Sequence, residues 1–345
     1  NPESHSAPPA DPENLNVLSS IGLKVATCGG NHIFDQGPNG VKDTLSKLRE
    51  LGIQTAGAGM NLSEARRPAV YEVKGVKYAV LEYNTVGPAV SWATPMKAGA
   101  AFLKVNTLYE NDKAEPGGAP SYIYTITDPG SMNELRKDIR KAKEIADVVL
   151  CYFHMGRMNS TEILNYQREI THAAIDEGAQ MVCCHHSHCM LGVEVYKGRP
   201  IYYGLGHFVA VTDVANPSSP YYEQLVFNPF DSAETRPFWK IEYKLPSEKI
   251  PYYMFDENSR KTMIAKALFS GGELCYASVI PCYIDAEARP VPVTAGSEKG
   301  EEIMAYLRSL CREEELPEGL WWSCDNREIV FLDKRGKGSV SCAEG

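Results

Sequence analysis

Short apolar runs that stop at Gly, Asn or His alternate with longer segments whose apolar positions recur every three or four residues. The runs Leu23–Thr27, Lys77–Glu82, Val148–Phe153, Gln180–Cys184 and the one opening at Ile201 read as strands. Pro38–Leu51, with Val41, Leu45 and Leu48 on one face, reads as an amphipathic helix closed by Gly52. Ser131-Met-Asn-Glu134 has capping-box form and predicts a helix carrying Leu135, Ile139, Ala142 and Ile145. Thr161–Glu177 predicts another, with Ile163, Tyr166, Ile170 and Ala173 inward and Gly178 as its stop. Asp11-Pro-Glu opens a short first helix that ends at Gly22, and Lys74-Gly-Val76 predicts a hairpin between Val70–Val73 and Lys77–Glu82. From Thr85 to about Tyr124 neither period holds, which predicts a long lid or binding loop anchored by Trp92, Tyr109 and Tyr122. Beyond Asn216 come strands at Leu225–Phe227, Phe238–Tyr243, Thr262–Phe269, Glu273–Pro281 and Glu328–Leu332, with a helix over Glu301–Glu313. Early βα alternation followed by strand-rich sequence predicts an α/β fold of two packed sheets with helices outside.

Polar residues gather where these strands stop. The run from Leu23 ends at Asn31-His32, the run from Val148 at His154, the run from Gln180 at His185, His186 and His188, and the run from Ile201 at His207. In layered α/β proteins ligands bind outside the carboxyl ends of the strands, so four such ends describe one site. Neutral imidazole is the commonest protein ligand for a transition metal, and His186 and His188, two apart, project to one side of an extended chain. Plainer explanations exist for each: a turn after a strand for Asn31 and His32, and capped strand ends for the histidine pair. His185 reads as a supporting or packing residue, His172 on its helix as structural, and Arg66 and Arg67 as members of surface ion pairs.

Composition narrows the field. The 345 residues, 43% of them hydrophobic, suffice for a sizeable core, read as a single domain over 1–345 with a metal-site half at 11–215 and a strand-rich part at 216–345. A net charge of -9 without a basic run argues against nucleic acid, and no apolar run reaches the length of a membrane span. Ten cysteines without a CxxC pair, several inside core strands, fit a reducing, cytoplasmic setting. A small-molecule or peptide-like substrate is the expected partner, and self-association into a homo-oligomer is compatible with everything above.

The blocks NHIFDQG (Asn31–Gly37), GAGMNLSEARRP (Gly57–Pro68), YQREITHAAIDEGA (Tyr166–Ala179), HHSH (His185–His188) and GVEVYKGRPIYYGLGHF (Gly192–Phe208) occur in an order and spacing that resembles the CapA family. That family is linked to poly-gamma-glutamate capsule synthesis and to the calcineurin-like metallophosphatases. The resemblance covers roughly Asp11–Phe208 and implies a four-layer αββα sandwich of two mixed sheets with flanking helices. It implies metal ligands at Asn31, His154, His186 and His188, a catalytic histidine at His32, and divalent metal ions such as Mn, Zn, Fe or Ca, two of them if carboxylate ligands lie upstream. Asp35, three residues after His32, is placed to polarise that imidazole. A link to capsule also admits an exported protein.

The chain departs from the family pattern in three places. The opening Gly-Asp strand and Asn-x-Glu block are not visible ahead of Asp11. His207 stands where relatives often carry Asn, and Met155 where they often carry Trp, so His207 joins His32 and Asp35 as a candidate catalytic group. The expected activity is hydrolysis of an amide, peptide-like or ester bond by a metal-activated water, with His32 as acid or base. Two alternatives stand beside it: a peptide epimerase exchanging a Cα proton, and a non-catalytic capsule or polyglutamate assembly or binding protein.

Overall fold

A computed structural model describes residues 10–111, 121–211, 252–253, 255–317 and 319–335. Asp11 caps a 3-10 turn, Pro12–Leu15, by accepting from the Glu13 amide, and α1 (Asn16–Ser20) follows. β1 (Val25–Thr27) pairs in parallel with β2 (Gln54–Ala56), and α2 (Gly37–Glu50) between them buries Val41, Leu45 and Leu48. These two strands form a ladder of their own and do not join a larger sheet. After β3 (Ala58–Gly59) and α3 (Leu62–Ala65), β4 (Ala69–Val73) and β5 (Val76–Asn84) make the expected hairpin. Its turn places Lys74 and Gly75 at φ of 51° and 79°, the left-handed pair that matches strand twist.

The segment from Thr85 to Tyr124 is not one long loop. β6 (Gly99–Ala100) pairs with β3, and β7 (Val105–Asn111) pairs with β8 (Ser121–Thr127) as an antiparallel ribbon. β-branched and aromatic residues favour the ribbon, but with only one partner strand it shows no clean buried alternation. α4 (Pro129–Ile145) also begins earlier than expected, because Asp128 rather than Ser131 caps it, accepting from the Ser131 amide at 2.9 Å. The Ser131 hydroxyl instead accepts from the Lys104 amide at 3.0 Å, and Ile145 at the last turn stays exposed.

β9 (Val148–His154), α5 (Asn165–Glu177), β10 (Met181–His185), β11 (Val193–Tyr196) and β12 (Arg199–Tyr202) complete a six-stranded sheet in the order β11-β12-β10-β9-β5-β4. The inner four strands are parallel and the two edge strands antiparallel. A second sheet runs β13 (Lys261–Ser270), β14 (Glu273–Ile284), β17 (Ile329–Asp333) and β16 (Trp321–Trp322), with β15 (Pro290–Pro292) also on β14. Among the described residues its pairings are antiparallel, where a mixed sheet is the expectation. The two-residue Gly271-Gly272 turn explains this, since parallel neighbours need a crossover of a dozen or more residues. α6 (Glu298–Glu313) is capped by Ser297 and lies against β14 and β11. The strands expected at Leu225–Phe227 and Phe238–Tyr243 fall outside the described residues.

Register decides what each face of the six-stranded sheet does. Tyr83, Phe153 and Cys184 stand in one cross-strand row facing α4 and α5, where the Tyr83 hydroxyl donates to Asp138 at 2.8 Å. Burying a ring such as Phe153 stabilises the fold by about 1.5–3 kcal/mol. The adjacent row, Glu82, Tyr152, Cys183 and Tyr202, faces the other way. Tyr202 donates there to the carbonyls of Lys266 (2.9 Å) and Ser278 (3.2 Å) in the second sheet. One hydrophobic cluster therefore includes residues of both sheets. The next row on this inner face, at the carboxyl ends of β5, β9 and β10, is Asn84, His154 and His185.

Candidate functional site

This terminal row is polar where the rows behind it are mostly apolar, and the flanking loops bring further donors to it. The Asn31 Oδ1 lies 2.9 Å from His154 Nε2, and His186 Nδ1 lies 3.1 Å from the same nitrogen. On the other side of that ring, His154 Nδ1 meets His185 Nδ1 at 2.7 Å. The backbone at Gly30 packs on this ring closely enough that a Cβ there would be in van der Waals contact with it, at 3.6 Å. Asn84 is buried and accepts from the Val86 and Gly87 amides at 2.7 and 3.2 Å.

The turn after β10 is bent to aim side chains. His186 and His188 have φ of 107° and 60°, a region that costs a non-glycine residue roughly 1–3 kcal/mol. Ser187 between them donates to the Cys189 carbonyl at 2.8 Å, and its own carbonyl accepts from the Asn159 amide. The His186 and His188 rings meet edge to face, with their centres 5.9 Å apart. His188 Nδ1 meets His207 Nε2 at 2.8 Å, and His207 Nδ1 meets the Tyr253 hydroxyl at 2.8 Å. Phe255 packs on the His207 ring at 4.2 Å between centroids.

His32 stands apart from this buried group. Its side chain is 59% exposed, and its Nδ1 donates to Asp35 Oδ2 at 2.7 Å, while Asp35 is only 7% exposed. Asp35 thereby fixes the ring so that Nε2 is the basic nitrogen. An open cleft of about 310 Å³ is lined by His32 together with Cys28, Asn31, His154 and His185.

Burial keeps His154, His186, His188 and His207 neutral. It lowers the His186 imidazole to about 3, His188 to about 4 and His207 to about 3, with neighbouring imidazoles adding to the effect. His154 is lowered furthest, by burial first and then by His185, His186, His188 and His32. Burial likewise raises the Cys28 thiol to about 12, helped by the nearby Glu82 charge.

Asn31, His154 and His186 thus come together; His188 and His207 form an adjoining pair; His32 and Asp35 form a dyad at the lip. Glu82 was missed. It is 1% exposed in the middle of the site's floor, takes the Gly29 amide on Oε2 at 2.5 Å, and places Oε1 3.1 Å from His185 Nε2. That second contact is close enough for an ion pair but off the alignment of a hydrogen bond, and neither atom has another hydrogen-bond partner among the described residues. The sequence signal was a carboxylate inside an apolar strand run, a placement that needs a partner.

The donor set can be tested against a divalent cation. Two imidazole nitrogens and an amide oxygen meet at mutual distances of 2.9 and 3.1 Å, close to the roughly 3 Å edge expected between ligands held near 2.1 Å from one ion. The set fits such an ion in donor type and spacing. Among the described residues no group of three or more His, Cys, Asp or Glu side chains is arranged to hold a metal.

The profile of the bacterial capsule synthesis protein PGA_cap matches residues 3–212. The chain belongs to the PGA_cap family. This metallophosphatase-like family includes the PGA biosynthesis protein CapA of Bacillus subtilis (strain 168), 32% identical over 199 residues that cover 57% of this chain and 45% of that protein. The capsule biosynthesis protein CapA of Bacillus anthracis is 29% identical over 58% of this chain and 43% of its own length. A probable polyglutamine synthesis accessory protein of Mycobacterium tuberculosis is 28% identical over 57% and 48%. The matched stretch spans less than half the length of each of these relatives. It contains Asn31, His32, Asp35, Glu82 and all five histidines from His154 to His207 other than the helical His172.

Proposed function

We propose that this PGA_cap chain is a CapA-like, metal-dependent hydrolase of capsule or polyglutamate synthesis, cutting an amide bond in a glutamate-containing polymer or peptide. The observation that carries this reading is the His32–Asp35 dyad beside a cleft lined by His32, Asn31 and His154, with His186 Nδ1 3.1 Å from His154 Nε2. Asn31 Oδ1, His154 Nε2 and His186 Nδ1 would hold a divalent cation, with His188 beside them. When bound, such an ion supplies Lewis-acid polarisation of a carbonyl and of water. His32, whose Nδ1 is engaged by Asp35, takes a proton on Nε2 from the attacking water and returns it to the departing amine as the C–N bond breaks. The two sheets sharing one core, with α4 and α5 outside the first, support the four-layer sandwich expected of a metallophosphatase.

A second reading has its own observation. The imidazoles pair with one another, His154 with His185 and His188 with His207, which favours a polymer-binding or assembly protein without catalysis. Incubating the protein with γ-linked glutamate oligomers and Mn²⁺ in deuterated water separates these. New amine termini are expected. Retention of uncut polymer favours the binding protein, and deuterium gained at Cα without cleavage favours epimerisation.

A further inference from the structure

Two chains of contacts run into the site, and each is anchored on a group that can only accept a hydrogen bond. The first starts at Glu82, an acceptor on both oxygens when ionised. Its Oε2 is taken by the Gly29 amide, and its carboxylate lies so close to Gly57, at φ of 84°, that a Cβ there would collide with it. Oε1 faces His185 Nε2 at 3.1 Å, in a place where neither atom has another partner among the described residues. Two lone pairs buried against each other would repel, so His185 carries its proton on Nε2. Its Nδ1 is then an acceptor, and the 2.7 Å contact to His154 Nδ1 requires the proton to sit on His154. His154 Nε2 is left with its lone pair toward Asn31 and His186; without a cation the Asn31 amide turns over so that its NH2, rather than Oδ1, meets that nitrogen.

The second chain starts at the Ser259 carbonyl, which accepts from the Tyr253 hydroxyl at 2.6 Å. Burial raises the Tyr253 phenol, so its single proton stays on it and is spent on that carbonyl. The hydroxyl oxygen can therefore only accept from His207 Nδ1, at 2.8 Å. His207 Nε2 must in turn accept from His188 Nδ1, at 2.8 Å. His188 Nε2 keeps its lone pair.

We propose that Glu82 and Tyr253 are positioning residues that fix the tautomers of His154 and His188, each through an intervening histidine, so that both present Nε2 as the free donor atom. The proposal rests on the cation reading of the site for its purpose but not for its test. A histidine ligand commonly donates its other N–H to a carboxylate or carbonyl; here that role is relayed through one more imidazole, His185 or His207. The relay accounts for two features otherwise without a role: a fully buried carboxylate in a core strand, and a histidine at position 207 with both nitrogens engaged inside the protein.

The test is ¹⁵N–¹H correlation of histidine side chains in protein freed of metal by chelation, with assignments from single His→Gln variants. The expected result is an Nδ1–H tautomer at His154 and His188 and an Nε2–H tautomer at His185. Tyr253→Phe, which keeps the ring and loses the hydroxyl, should release His207 and mix the tautomers of His188 while leaving His154 unchanged; Glu82→Gln should do the converse. In each variant Co²⁺ affinity should fall about 10–100-fold. An Nε2–H tautomer at His154 or His188 in the wild-type protein overturns the proposal, and so do variants that leave both tautomers and Co²⁺ affinity unchanged. Should the wild-type protein not bind Co²⁺ at all, the cation reading fails, and the tautomers still decide this one.

Discussion

Two glutamate–histidine pairs lie on opposite faces of the same sheet and behave differently. On the outer face, Glu194 contacts His172 Nε2 at 3.0 and 3.1 Å, accepts from the Tyr203 hydroxyl at 2.7 Å, and His172 stacks on Tyr196 at 3.8 Å. Burial pushes the Glu194 carboxyl up, yet hydrogen bonds from His172 and Tyr203 outweigh it and hold the group below its usual range. Every strong group there is satisfied. On the inner face, Glu82 and His185 touch without a formed hydrogen bond, and the imidazoles beyond them face one another. A buried polar cluster with its bonds complete stabilises a fold, whereas one with lone pairs left over is prepared for something not supplied by the chain.

Substitutions on the two faces should separate these roles. The largest effect is expected at His32: replacing it with Asn should lower the rate of amide cleavage by about 10²–10⁴-fold, read by steady-state kinetics, with the melting temperature unmoved. The matched His172→Asn should leave the rate within twofold. A smaller effect follows from Gly57→Ala, which puts a side chain at positive φ and against Glu82; urea unfolding should show a loss on the order of 1–3 kcal/mol, and cleavage should weaken with it. The smallest is Tyr203→Phe on the outer face, which removes one hydrogen bond to Glu194 and should cost about 0.5–1.5 kcal/mol in thermal unfolding without touching activity. If Tyr203→Phe impaired catalysis as much as Gly57→Ala, the contrast between the two faces would be lost.

Much of this was legible in the chain, and the rest was hidden for physical reasons. Val41, Leu45 and Leu48 announced α2, and Lys74-Gly75 announced the hairpin, because a period and a turn are local properties. The strand ends carrying Asn31, His154 and His186 were legible for the same reason, and the parallel order β5, β9, β10 then set His154 and His185 side by side. The β7–β8 ribbon was not, since pairing with a single neighbour leaves no burial pattern to read. The antiparallel second sheet was hidden until Gly271-Gly272 was seen as a two-residue turn. Glu82 stayed invisible because its meaning depends on Gly29, Gly57 and His185, which are distant in sequence and meet only through the fold.

The proposed cation site is the meeting point of Asn31, His154 and His186. Calorimetric titration of the chelator-treated protein with Co²⁺ tests it most directly. Binding should be present in the wild type, should weaken by more than about 100-fold in Asn31→Ala, His154→Ala and His186→Ala, and should persist in His172→Ala. Binding that survives unchanged in His154→Ala and His186→Ala, or that is absent from the folded wild-type protein, would contradict the account.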